Sequence, residues 1–211
     1  MEIVRFEIIK EPETVKVLEE TFRSYFLENS LTSFDKSLFH YLLNRLAYAK
    51  SDFALDYCLG IFDKHPEETD AILKYITKLE QQADCLNYIV EFLNSSLATY
   101  TYQNYLFLKW INESFDKLDD TVLKEIRKFA KSHIEEKYLQ SELNRLFGKF
   151  GNIADIENIF SNYSNCESEL DRAETIMNIR RMESSKRNQF FSTVKDEGEL
   201  IEIAIKYIKE N

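Results

Sequence analysis

The chain has 211 residues, with 27 Lys and Arg against 37 Asp and Glu, a formal net charge of −10 at pH 7 and a pI near 5.0. That charge opposes non-specific attraction to nucleic acid or to an anionic membrane surface, so any such contact has to be local. Four Gly and two Pro leave few residues for the tight turns of a many-stranded sheet, while 44% hydrophobic content supplies apolar surface for a core, and together they point to helices.

In chain order, the opening "EIVRFEII" is β-branched and aromatic, with Ile3, Val4, Phe6, Ile8 and Ile9; it predicts a short strand or extended arm over residues 1–12, or the remnant of an upstream domain. From residue 13 onward the apolar spacing turns helical. "ETVKVLEETFRSYFLE" carries Val15, Leu18, Phe22 and Phe26, and "DKSLFHYLLNRLAYA" carries Leu38, Tyr41, Leu42, Leu46 and Tyr48. Ser51 or Asp52 is expected to cap "FALDYCLGIFDK". "HPEETDAILKYITKLE" opens on Pro66, followed by Glu67 and Glu68, which a helix dipole favours in a first turn. Comparable units recur as "ADCLNYIVEFLNS", "YQNYLFLKWINES", "DDTVLKEIRKFAKSH", "EKYLQSELNRLFGKF", "IADIENIFSNY", "SELDRAETIMNIRR", "SSKRNQFFSTV" and "GELIEIAIKYIKE". The expected fold is all-α, an α-solenoid of antiparallel helix pairs of HEAT-like type with about eleven or twelve helices, forming one repeat domain over residues 13–211. A compact irregular bundle is the alternative architecture.

Chemistry-bearing motifs are few. Cys58, Cys85 and Cys166 form no CxxC pair and are expected to be reduced, buried thiols; His40, His65 and His133 share no ligand spacing. The sequence contains no GxGxxG, GxxxxGK[ST], GxSxG or HExxH, so no cofactor or metal is expected and the chain reads as a non-enzyme. No apolar run approaches the ~18 residues of a membrane span, and "MEIVRFEIIK" is too charged for a signal peptide, which predicts a cytoplasmic protein without membrane contact. In "KLDDT", Asp119 and Asp120 could hold magnesium, but Asp120 stands directly before "TVLKEIRKFA", where a helix cap is wanted. The acidic pairs Glu135–Glu136 and Asp196–Glu197 stand in expected first turns. "ATYTYQNYLFLKWINE" groups Tyr100, Tyr102, Tyr105, Phe107 and Trp110: either a base-stacking platform or filling between helix layers. With Lys109 the one interleaved base, filling is favoured, and Trp110 is placed in the core.

Charge is unevenly spread: residues 1–120 hold 12 Lys and Arg against 21 Asp and Glu, and residues 121–211 hold 15 against 16. Within 172–195, Arg172, Arg180, Arg181, Lys186, Arg187 and Lys195 face Glu174 and Glu183, a local excess of four positive charges (6 − 2). Leu170, Ala173, Ile176 and Met177 mark the expected buried face; Arg180 and Arg181 fall in the last turn, where cations favour the dipole, and Ser184 or Ser185 can cap the next helix. The six bases are therefore either capping and salt-bridge residues between repeats or a partner-binding and nucleic-acid contact.

The segments "FDKSLFHYLLNRLAYAKSDFALDYCLGIFDKHPEETDAILKYI" and "DIENIFSNYSNCESELDRAETIMNIRRMESSKRNQFF" resemble the helical C-terminal extensions that follow the polymerase core in bacterial reverse transcriptases of the retron-like and phage-defence lineages. The likeness spans most of residues 13–211. The Y/F-x-D-D turn of the polymerase is missing, so the resemblance implies a non-catalytic scaffold that contacts an upstream polymerase domain, another protein or, through the basic cluster, RNA or DNA. A stand-alone HEAT-like protein–protein adaptor is the alternative, with the acidic N-terminal half as its docking surface. A HEAT-like DNA glycosylase is a more remote one, disfavoured by the negative charge and the lack of an evident catalytic acid.

Overall fold

The computed structural model describes residues 10–28, 34–133, 136–152, 154–155, 157–159, 163, 168–181, 184–194 and 198–210. Among the described residues all regular structure is helical and no strand occurs. Of residues 1–12, over which an extended arm is expected, 1–9 lie outside them, as does Cys166, and Pro12 is already helical. The chain divides into two compact units, Met1–Leu106 and Phe107–Asn211.

In the first unit, α1 (Pro12–Phe22) starts at a proline, whose missing N–H has no partner to lose in a first turn, and continues into a π-type turn, Arg23–Glu28. α2 (Lys36–Ala49) is capped by Asp35, whose Oδ1 accepts the Leu38 N–H at 3.0 Å, and ends at Lys50, in the left-handed region at φ 55°. The apolar face of α2 is Phe39, Leu42, Leu43 and Leu46, spaced three, four and seven apart. Tyr41 and Tyr48, expected on that face, instead point to solvent, and the Arg45 guanidinium lies 5.2 Å from the Tyr41 ring centre. The face sits one residue round from the expected one because Phe39, not Tyr41, meets Phe22 and Phe26 at 6.2 and 5.4 Å. Burying each such Leu or Phe contributes about 1.5–3 kcal/mol.

α3 (Leu55–Gly60) opens three residues later than Asp52. Ser51 Oγ accepts the Phe53 N–H and the Asp52 carbonyl accepts that of Leu55 at 2.8 Å, so the chain turns before the helix begins. A 3-10 turn at Pro66–Glu68 then leads into α4 (Thr69–Ile76), followed by α5 (Gln82–Leu93) and the start of α6 (Thr101–Ser114). Gln103, 1% exposed, donates to the Phe62 carbonyl and to Thr69 Oγ1, both at 2.8 Å, joining α6 to the segment before α4. Satisfying a buried amide in this way avoids a cost of about 1–3 kcal/mol.

The second unit holds the remainder of α6, α7 (Asp120–Ser132), α8 (Lys137–Phe150), α9 (Glu169–Asn178) with its 3-10 extension Ile179–Arg181, α10 (Ser184–Thr193) and α11 (Glu199–Glu210). The α7 cap is Asp119, whose Oδ1 accepts the Val122 N–H at 2.8 Å, and Asp120 is the first helical residue, one place on from the expected cap. Trp110 is in the core, 6% exposed, with the Phe115 ring edge-on at 5.2 Å. Buried polar pairs join the helices: Asn112 Nδ2 donates to the Glu142 carbonyl and to its Oε2, while Arg145 holds Oε1 at 2.7 Å. Lys149 closes the end of α6 by donating to the Asn112 and Phe115 carbonyls, where a cation also suits the dipole. Asp155 accepts from Nε and Nη2 of Arg127, both at 2.8 Å, and from the Asn152 N–H. Gly151 makes this possible by its size, because a Cβ there would stand 2.3 Å from the Phe147 carbonyl and 2.8 Å from the Asp155 Cβ. Glu169, at the start of α9, accepts the Leu200 N–H at 2.8 Å in the first turn of α11, and these two helices pack along one another.

No helix among the described residues is long and apolar enough to cross a membrane.

Candidate functional site

The basic cluster of residues 172–195 is the one location that the charge pattern of the sequence singles out. Arg187, on α10, donates from Nη1 to the Arg180 carbonyl at 2.9 Å and from Nη2 toward Ser184 Oγ at 3.5 Å, so its guanidinium caps the end of the preceding helix. That closure joins Arg180, Ser184 and Arg187 locally. Arg180 points to solvent, whereas Arg172 and Lys186 are half-buried and each has a bonding or electrostatic partner. The Arg181 side chain and Lys195 lie outside what the structure describes. On α9, Ala173 and Ile176 are buried as expected, but Leu170 is 65% exposed.

A second location has no sequence motif behind it. α2 and α4 flank a groove of about 410 Å³, walled by His40, Leu43, Asn44, Ala47 and Tyr48 from α2, by Asp70, Ala71, Lys74 and Tyr75 from α4, and by Lys78 from the turn after it. The spacings along each helix, three or four apart, are what one face of each supplies. Leu43 and Tyr75, 2% and 1% exposed, form the floor. The Tyr75 hydroxyl donates to the Ser51 carbonyl at 2.6 Å, and burial holds its phenol pKa well above the ordinary range, so it acts as a neutral structural group.

At one side of the groove, Glu68 is 1% exposed, and its Oε2 receives the Nε2–H of His40. Lys36 Nζ lies 3.0 Å from Oε1, close enough to neutralise charge but without the angle of a hydrogen bond, since Oε1 has no hydrogen-bonding partner. A carboxylate on Nε2 fixes the ring's orientation and leaves Nδ1 as the uncommitted nitrogen. Glu68 is therefore not the solvated first-turn acid expected from its position after Pro66. Glu67 is that residue, exposed, its carboxyl held low mainly by a backbone hydrogen bond and next by His65, 3.2 Å away. Nothing local marks Glu68, His40 and Lys36 as partners, because 28 residues of chain separate the histidine from the acid.

A third feature is the partition of the aromatics. Among the described residues no phenylalanine is exposed, whereas Tyr25, Tyr41, Tyr48, Tyr88, Tyr100, Tyr102, Tyr138 and Tyr207 are, out of twelve tyrosines in the chain. Tyr102 stands 6.4 Å from Tyr100 and stacks on Tyr105 at 6.0 Å, so the stretch expected to fill space between helices is divided: Phe107 and Trp110 fill it and Tyr100 and Tyr102 do not.

Cys58 and Cys85 are free and buried. Burial, reinforced by the neighbouring Cys85, pushes the Cys58 thiol far up, and burial with Asp84 pushes that of Cys85 up to about 11. Among the described residues no three or more His, Cys, Asp or Glu side chains are grouped as metal ligands. In comparison with known proteins, the chain matches no family model, no curated protein and no solved structure.

Proposed function

We propose that this chain is a non-catalytic helical scaffold that binds a macromolecular partner, and that it serves as the C-terminal domain of an RNA-directed DNA polymerase. The observation that carries the scaffold reading is the segregation of aromatics, with phenylalanine inside and tyrosine out. Tyrosine brings a large, stiff apolar ring with a hydroxyl that tolerates water, and protein interfaces are enriched in it for that reason. The most buried charged groups among the described residues of the second unit, Glu142 and Asp155, are held by Arg145 and Arg127, which is scaffold chemistry. A HEAT-like stacking of antiparallel pairs belongs to the same reading, supported by contact between the consecutive helices α1 and α2, and α7 and α8. The polymerase assignment rests on the sequence resemblance.

Two experiments test this. The reading frame upstream of Met1 is read in the source genome: continuation into a core with a Y/F-x-D-D turn supports the polymerase domain, and an unrelated or absent frame leaves the stand-alone adaptor. Labelled single-stranded RNA and DNA are then titrated at 50 and 200 mM salt against the parent and a variant changing Arg180, Arg181, Lys186 and Arg187 to Gln. Four phosphate contacts would weaken binding about a hundredfold across that range. Salt-sensitive binding lost in the variant makes the basic cluster a nucleic-acid contact; no binding at 50 mM makes it a capping device and the partner a protein.

A further inference from the structure

We propose that the groove between α2 and α4 binds a small organic anion: a molecule with a flat apolar body and a phosphate or carboxylate at one end. This goes beyond the scaffold reading and does not depend on it. Its volume, about 410 Å³, lies in the range of small-ligand sites, which combine an apolar floor with a few convergent polar groups. Ala47, Ala71 and the ring of Tyr48 supply the apolar surface, over a floor closed by Leu43 and Tyr75.

Charge sets the ligand's sign. Lys74 on α4 and Lys78 in the turn that follows it stand four residues apart against a single acid, Asp70, which reaches Lys74 at 2.6 Å, so the groove carries an excess positive charge inside a half of the chain with 21 acids and 12 bases. Lys78 makes no ion pair among the described residues, and the Asn44 amide is exposed and without a hydrogen bond there. Opposite them, His40 is held by the buried Glu68, a carboxylate that is expensive to bury and that fixes the ring from behind. A ring so fixed offers Nδ1 to a ligand without the entropic cost of ordering it on binding. The anionic end faces Lys78 and Lys74, the apolar body covers Ala47 and the Tyr48 ring, and His40 and Asn44 read the polar edge.

Phenyl phosphate and benzoate serve as probes, titrated into the full chain labelled for NMR, with inorganic phosphate and benzyl alcohol as the half-ligands. The expected result is saturable shifts at His40, Asn44 and Tyr48 with either aromatic anion, at least about tenfold tighter than with either half-ligand. Lys74→Gln with Lys78→Gln should weaken binding by about tenfold or more, and Ala47→Phe, which fills the groove and leaves its charge alone, should abolish it. A preserved spectrum elsewhere establishes that both variants are folded. No shifts with either aromatic anion up to about 10 mM, or shifts unchanged in both variants, overturn the proposal.

Discussion

Arg127 and Asp155 show how much one side-chain pair can hold. Asp155 is 3% exposed and depends on Arg127 for two of its hydrogen bonds and on the Asn152 N–H for a third. Arg127→Met keeps the aliphatic stem but strands the carboxylate, and should destabilise the protein by about 2–4 kcal/mol, read as a lower urea midpoint with unchanged slope. A loss below about 0.5 kcal/mol would mean that water replaces the guanidinium. Cys85 makes a second prediction. Its folded thiol is pushed up to about 11, against about 8.5 for an unfolded cysteine, so the fold prefers the proton. That contribution is fully present below about pH 8.5 and is lost as pH rises toward 11. Urea midpoints should hold between pH 7 and 8 and fall between pH 9 and 11, less steeply in Cys85→Ala; a flat profile to pH 10.5 would contradict this. Neither pair was legible in the sequence: Arg127 and Asp155 are 28 residues apart, like His40 and Glu68, and a spacing of that kind has no period to betray it.

For the helices, local signals carried much further. Pro66 does open a turn, α7 does begin at the acidic pair, and Phe22, Phe26, Leu42 and Leu46 are buried where apolar spacing put them. Errors concern where a helix begins and which apolar side chains face water. Asp119 rather than Asp120 caps α7, because its backbone is extended while Asp120 is already helical. Tyr41, Tyr48 and Leu170 fall on core positions of the apolar pattern yet face water, because hydropathy treats tyrosine and leucine as apolar wherever they stand, although a tyrosine loses little by exposure. The cap is testable: Asp119→Ala removes the acceptor for the Val122 N–H and should cost about 1 kcal/mol, whereas Asp120→Ala, which caps nothing, should cost less than half of that. Thermal unfolding of the two variants side by side separates them, and equal losses would return the cap to Asp120.

For the whole molecule, composition was a sound guide to fold class. Scarce Gly and Pro and a helical period gave an all-helical chain among the described residues, with punctuation by Asp35, Pro66 and Asp119 in place of glycine turns. The division at Leu106 and Phe107 was not legible, for a physical reason: it falls inside α6, with no break in the helix and no Gly or Pro to mark it. Thr101–Leu106 belongs to one unit and Phe107–Ser114 to the other.

That shared helix gives the protein a built-in optical reporter. Trp110, the sole tryptophan, is buried in the part of α6 that belongs to the second unit, so its emission follows the unfolding of that unit, while ellipticity counts helix from both. Melting either unit alone would leave half of α6 without its packing, and a helix segment of six to eight residues does not survive in water unaided. The two signals should therefore superimpose on one transition in urea. If ellipticity fell in two steps with the fluorescence confined to one of them, α6 would be a hinge and the units would be independent folding bodies.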